Sequence, residues 1–392
     1  MNTSKLLSHW PPHWLSYTQL AVTVVYALVF VCGTVGNIWM LSALGRVLHK
    51  PSKWKKNHLV PEHLYLYMSA LGLGNVCVLS LIPFIITRQI LGQWTFGLLL
   101  CKYFWAVENV NKLLSIGILT ALSIDRYWAV CRPLQWSRRT ARKQKRYTYL
   151  ALSFCFVLSL SSSAPVFTYV TVESLIHSNK SNMSSPLDCR FGRQMPTQLF
   201  NCFAVYLFVV GYCIPAVIVA SCYGAIIRYL RTENIANRQR VTSVSQVDEG
   251  LKQPRHSSTD RWRQDVQTSI YKAAIFYYCC WTPYWLANLM PLLVAPTAYP
   301  SYVYGLLLFV HTFPYVNCAG NWVIYGLLND QLRSLVVQAG SKYARRQKSL
   351  MLKEVRRWSK SQQRLAPNSN GLATDGTSNS SERDSLVHPC AP

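Results

Sequence analysis

Acidic residues are scarce. The 392 residues hold 15 Asp and Glu against 40 Lys and Arg, and charged residues of both signs make up only 14% of the chain. A water-soluble domain usually carries about 25% charge, so this chain lacks the polar side chains needed to cover a surface in water. Its 51% apolar content points to a bilayer instead. Cysteine pairs with metal-site spacing are also missing. Most of the 13 cysteines lie inside apolar stretches, where cysteine behaves as a small apolar residue. No zinc site, other metal or cofactor is therefore expected. No nucleophile–base pair or histidine cluster occurs within the apolar stretches, so an enzyme is not expected. No period-two alternation suggests a membrane barrel, and no duplicated helix pairs suggest a transporter built from two halves. No cleavable leader is evident, which leaves the first helix as its own insertion signal.

Long apolar runs are present, and there are seven of them. They lie near residues 18–45, 64–89, 101–128, 147–170, 198–229, 266–294 and 302–326. Each approaches or exceeds the ~20 residues that cross a ~30 Å hydrocarbon layer. The net charge of +25 would suit nucleic acid only if it gathered on one folded face. It falls instead in short blocks between the apolar runs, so no nucleic-acid partner is expected. Segments 46–63, 126–146 and 228–272, with the tail after 326, hold 33 basic residues, and the opposite side holds six. Basic loops stay in the cytoplasm, so the N-terminus is expected outside and the C-terminus inside. Glycosylation acceptors at Asn2, Asn179 and Asn182 fall on that outer side. The expected organisation is all-α: an extracellular N-terminus over 1–17, a seven-helix membrane bundle over 18–328, a short amphipathic eighth helix over 329–340 and a disordered cytoplasmic tail over 341–392.

Motifs inside the runs narrow the class. The third run ends in Asp125-Arg126-Tyr127, and the sixth carries Cys280-Trp281-Thr282-Pro283. The first holds Gly36-Asn37, the fifth Pro215 and Tyr223, and the seventh Asn321 and Tyr325. Together they resemble the rhodopsin-like class of G-protein-coupled receptors. Trp94-Thr95-Phe96-Gly97 before Leu100-Cys101-Lys102 is most similar to opioid- and somatostatin-type peptide receptors. That resemblance implies an extracellular peptide ligand and coupling to heterotrimeric G proteins, with the inhibitory class favoured. It implies a disulfide between Cys101 and Cys189, with Cys202 as a rival partner. It also implies activation roles for Asp125, Arg126, Tyr127, Tyr223, Pro283, Asn321 and Tyr325. Pro283 should kink the sixth helix. A light receptor is excluded, because residues 302–326 contain no lysine to hold retinal.

Glu108 and Lys112 stand four apart in the third run. Charges in a membrane helix are costly and face a cavity or each other. Either they neutralise one another along one helix face, or Glu108 faces the cavity and binds a ligand cation, as an Asp does in similar receptors. The expected ligand contacts are Glu108, Lys112, Trp281, Trp285 and Tyr304, with Trp285, Tyr302 and Tyr304 near the mouth. A biogenic amine receptor and a non-signalling scavenger of the same fold are the alternatives. Two departures from the family stand out. Asn75 replaces an Asp that helps hold sodium in relatives, beside Asn111, Ser115, Trp281, Asn317 and Asn321. Trp322 replaces a proline, which should straighten the seventh helix. Ser378, Ser380, Ser381 and Ser385 are candidate phosphorylation sites for arrestin, and the basic run from Lys342 to Arg364 could meet anionic membrane lipids.

Overall fold

A computed structural model describes residues 12–48, 62–174, 186–245, 258–294 and 301–324, together with 345, 349–353 and 356. Among these, five helical spans are long and apolar enough to cross a membrane unaided: Tyr17–Arg46, His63–Leu91, Gly97–Cys131, Ala141–Tyr169 and Thr197–Glu233. The sixth helix, Ser258–Leu293, has a polar beginning and an apolar end, and the seventh runs as Ser301–Val310 and Phe313–Trp322. Large apolar side chains such as Leu28, Val35, Phe154, Val157, Val217 and Leu286 stand exposed around the bundle. Such a surface is untenable in water but natural against lipid.

The third span is the hub. It packs against the second, fourth, fifth and sixth, while the first packs on the second and seventh. Its interior face is polar as well as apolar: Asn109, Asn111, Lys112, Ser115, Ser123 and Arg126 are all buried. Lipid tails give helices no hydrophobic reason to associate, so close packing and interhelical hydrogen bonds hold such bundles. Both occur here. Asn109 donates to the Ser163 hydroxyl at 2.9 Å, joining the third span to the fourth. Asn75 donates to Asn37 at 3.2 Å, and Asn37 donates to the Cys318 carbonyl at 3.1 Å, joining the second, first and seventh.

Prolines decide where the rods break. The second span turns at Ser80 and Leu81 and restarts at Ile82 ahead of Pro83. The fourth restarts at Ala164 ahead of Pro165. The fifth loosens into a π-helical turn, Val209–Cys213, just before Pro215. In each case the ring removes one backbone donor and crowds the carbonyl four residues earlier. The sixth helix continues through Pro283 and Pro291. The seventh runs without interruption from Phe313 through Trp322, where the family's proline is absent. It breaks at His311 and Thr312, because Pro314 opens its second segment and imposes the break one turn or more nearer the start of that helix.

Sequence reasoning also missed a small sheet. Within the loop between the fourth and fifth spans, β1 (Val170–Ser174) pairs antiparallel with β2 (Leu187–Phe191), placing Val172 opposite Cys189. The expected amphipathic helix over 329–340, the sequons Asn2, Asn179 and Asn182, the tail serines and Tyr325 lie outside the described residues.

Trp322 shows how the missing proline is accommodated. A methyl group added at Gly36 would come within 2.1 Å of the Trp322 ring, so the indole lies where a side chain on the first span would otherwise be. Its other neighbour is Trp39, with ring centres 6.2 Å apart. Gly36→Ala should therefore lower the melting temperature of the purified protein, at a cost of about 1–3 kcal/mol for overpacking. In a Trp322→Pro background the same substitution should cost much less, and a thermal-shift double-mutant cycle checks this.

Candidate functional site

At the inner end of the third span, Arg126 is buried and bonded to the neighbouring Asp125. A second partner, unforeseen from sequence, reaches the same carboxylate. His63, at the start of the second span and 2% exposed, places Nε2 3.3 Å from Asp125. Trp136, in the short helix Pro133–Ser137, meets the His63 ring edge to face at 5.7 Å. Asp125 thus ties together the second span, the third span and the following loop. Arg139 of that loop packs over Trp128, Trp136 and Tyr147 at 5.2–5.5 Å. Tyr127 lies half-buried beside Trp128, and Tyr223 on the fifth span packs against Tyr271 of the sixth.

Deeper in the bundle a column of aromatic rings rises from Tyr277 through Trp281 to Tyr284 and Trp285. Tyr277 and Trp281 stack at 5.4 Å, and Trp281 meets Tyr284 at 5.2 Å. Lys112 enters this column from the third span. Its ammonium donates to the Tyr284 hydroxyl at 2.8 Å and lies 5.0 Å from the Tyr284 ring centre and 5.7 Å from that of Trp285. Trp285 is therefore a core residue and not a mouth residue as expected. It is 3% exposed and also touches Phe208 and Tyr212. The indole nitrogens of both Trp281 and Trp285 are buried without an acceptor. Tyr304 is half-buried and Tyr302 exposed in the first segment of the seventh span.

Glu108 lies one turn from Lys112. Among the described residues no Lys, Arg or His nitrogen comes within 4.0 Å of its carboxylate. Glu108 is half-buried on the third span.

A disulfide joins Cys101 to Cys189, and Cys202 is free. Around it Trp94, Val166 and Val170 form a small apolar core. The loop backbone is fastened further by Trp94, whose amide donates to Leu187 at 2.7 Å, and by Lys102, which donates to the Phe167 carbonyl at 2.8 Å. Arg88 pairs with Asp188 at 2.6 Å, and Arg190 and Arg193 gather around Glu173 at 3.6 and 3.8 Å. The hairpin is thereby pinned to the second and third spans.

Asn75 sits in the polar junction below the aromatic column. Ser115 donates to Asn111 at 3.2 Å, and Asn111 approaches the Cys318 sulfur at 3.6 Å. Beside them Leu71, Ser115, Leu119, Ala273, Tyr277, Asn317 and Asn321 enclose a cavity of only about 10 Å³. The donor set contains amides and a hydroxyl but no carboxylate, and Asn75 is bonded to Asn37. Such a set gives a monovalent cation little return for its lost water. No group of three or more His, Cys, Asp or Glu side chains with metal-binding placement occurs among the described residues.

Comparison with known proteins agrees with this arrangement. Residues 36–325 match the seven-transmembrane receptors of the rhodopsin family. The chain belongs to that family, and it is a multi-pass membrane protein. A probable G-protein coupled receptor of Caenorhabditis elegans is 29% identical, covering 82% of this chain and 69% of the relative. Neuropeptide receptor 18 of the same animal is also 29% identical, covering 79% and 64%. Somatostatin receptor type 5 of Bos taurus is 26% identical, covering 80% and 74%. The matched region thus spans roughly two thirds to three quarters of these relatives' own lengths. The family is one of receptors, not enzymes.

Two outcomes are expected. His63→Ala removes a buried donor to a carboxylate, which is worth about 1.5–3 kcal/mol, and should lower the melting temperature more than His63→Gln does. The melting temperature should be the same in sodium chloride and in N-methylglucamine chloride of equal ionic strength. Asn75→Asp should make it rise with sodium.

Proposed function

We propose that the protein is a plasma-membrane receptor for a neuropeptide, with its N-terminus extracellular, and that it passes the signal to heterotrimeric G proteins, the inhibitory class favoured. The names of the relatives, neuropeptide and somatostatin receptors among them, support a peptide. The distribution of basic loops supports the orientation. The observation that carries the site is Glu108: a half-buried carboxylate on the third span, with no cation within 4.0 Å among the described residues, one turn from Lys112 and the aromatic column that Lys112 enters.

In this reading Glu108 pairs with an amine or guanidinium of the ligand. Lys112, with Trp281 and Trp285 beside it, contributes donors for an acidic or carbonyl oxygen. Tyr304 adds contact higher in the bundle. The β1–β2 hairpin, held by Cys101–Cys189, forms the wall a peptide passes. Ligand contact shifts the aromatic column, and Pro283 concentrates the bending of the sixth helix, where one backbone donor is absent. The inner ends then separate and Arg126, released from Asp125, meets the G protein, with Tyr127, Tyr223, Asn321 and Tyr325 lining the opened face. Arrestin would follow tail phosphorylation.

A G-protein activation screen in cells, against neuropeptide and amine libraries, tests this, with Arg126→Ala as the silent control. For the agonist found, Glu108→Gln should reduce affinity about tenfold or more, a loss of about 1.4 kcal/mol, with surface expression unchanged. Unaltered affinity would remove Glu108 from the site. Replacing residues 172–196 should abolish a peptide response and spare an amine response.

A further inference from the structure

We propose that Trp322 is a positioning residue for signalling: seated over Gly36, it clamps the inner half of the seventh span to the first and keeps the receptor quiet without ligand. The inner half is a separate rod, Phe313–Trp322, cut from the outer half, Ser301–Val310, by the break at His311 and Thr312. A rod joined through a break pivots unless its sides are held. One side is held by the first span. A methyl group added at Gly33 would come within 2.8 Å of the Ala319 side chain, Asn37 donates to the Cys318 carbonyl at 3.1 Å, and the Trp322 ring covers Gly36. Residues 318, 319 and 322 share one helix face, as do 33, 36 and 37. Two glycines let the backbones approach, and the indole fills the space they leave.

The other side of the rod meets the sixth helix. A methyl group added at Gly320 would come within 2.5 Å of the Phe276 ring, one residue before Tyr277 of the aromatic column. The rod therefore stands between the first span and the helix whose bending opens the inner face. Held against the first span, it is a backstop for Phe276. Freed, it yields, and the sixth helix gains room. Asn321, next to Trp322, lines the small cavity with Asn317 and Tyr277, so the same clamp fixes its direction. Leverage singles out Trp322 among the contacts with the first span. At 1.5 Å per residue, Cys318 lies about 9 Å from the break and Trp322 about 15 Å. A pivoting rod moves most at its far end, and the indole grips that end. A proline there, as in similar receptors, would leave it unheld. For its signalling consequence the proposal rests on the receptor function given above.

The experiment compares the full-length protein, purified without ligand, as wild type, W322A, G36A and G36A/W322A. Amide hydrogen exchange of segment 313–324 should rise about tenfold or more in each single variant. The double variant should add little, because both single changes release one contact. L28A, on the exposed side of the first span, should exchange as the wild type does. Nucleotide exchange on an inhibitory G protein, measured without agonist, should rise about fivefold or more in W322A, with W322F between it and the wild type. Unchanged protection of the segment in W322A overturns the clamp. Lost protection with unchanged basal activity, in a receptor that still answers agonist, overturns its part in signalling and leaves Trp322 a packing residue. A wild type that no agonist drives to nucleotide exchange counts against the receptor function, and hydrogen exchange then decides the clamp by itself. Where G36A is poorly recovered, W322A and W322F carry the comparison.

Discussion

Inside a bilayer the backbone has no water to bond with, so every amide and carbonyl must find its partner within the protein. That constraint makes the bundle helical, and it makes each proline an event. Around the interruptions at Pro83, Pro165 and Pro314, hydroxyls bond back to carbonyls of the preceding turn. Ser80 bonds the Cys77 carbonyl at 2.6 Å, Ser162 and Ser163 bond back to Leu158 and Ser159 at 2.7 and 3.0 Å, and Thr312 bonds the Phe309 carbonyl at 2.7 Å. Thr282 does the same for Tyr278 just before Pro283. The third span, which has no proline, runs unbroken from Gly97 to Cys131. A continuous central rod is thus surrounded by helices with built-in weak turns, which is the mechanical condition for neighbours to move about a fixed axis.

Buried charge is treated by the same logic at the level of side chains. Arg126 and Asp125 answer each other, and His63 takes a further share of the carboxylate. Lys112 has no carboxylate within 4.0 Å among the described residues. It is stabilised by the Tyr284 hydroxyl and by the faces of two rings, an arrangement worth more in a desolvated site than at a surface. Glu108 is the charge least answered by its immediate surroundings. The third span thus carries a closed charge cluster at one end and, nearer the other, two charges that form no ion pair among the described residues.

Much of this was legible in the sequence, and the boundary of legibility has a physical cause. Spans, their order and the polar residues interrupting them follow from composition along one helix, and the Cys101–Cys189 bond followed from family resemblance. Contacts between helices do not follow from the pattern of either helix. His63 carries no sign that it will face Asp125, 62 positions away. Nor does Tyr284 announce that it will receive Lys112. The position of Trp285 was misjudged for the same reason: an aromatic residue near a helix end suits an interfacial belt or a core, and only packing decides. The hairpin escaped notice because its two five-residue strands are separated by a long loop and have no tight turn signal between them. The break in the seventh helix is readable from Pro314, which opens its second segment.

The two departures from the family, Asn75 and Trp322, make physical sense as parts of one junction. A carboxylate at 75 would need a cation and water, and therefore space. An amide at 75 carries no charge to balance, and its Nδ2 bonds Asn37 on the first span while its Oδ1 stays buried without a partner. Trp322 lies on the same side, seated over Gly36, one residue from Asn37. The remaining space between the second, third, sixth and seventh spans is about 10 Å³, at most one water molecule. The junction is therefore joined by amide hydrogen bonds, with the Asn75 Oδ1 and Asn317 Nδ2 left buried without a partner. Tyr277 borders that space and stacks on Trp281 above it. Displacement of the aromatic column would accordingly reach the inner half of the bundle through contact between rings and packed side chains. Close packing around Tyr277 favours passing a shift of Trp281 to its neighbours over absorbing it in place.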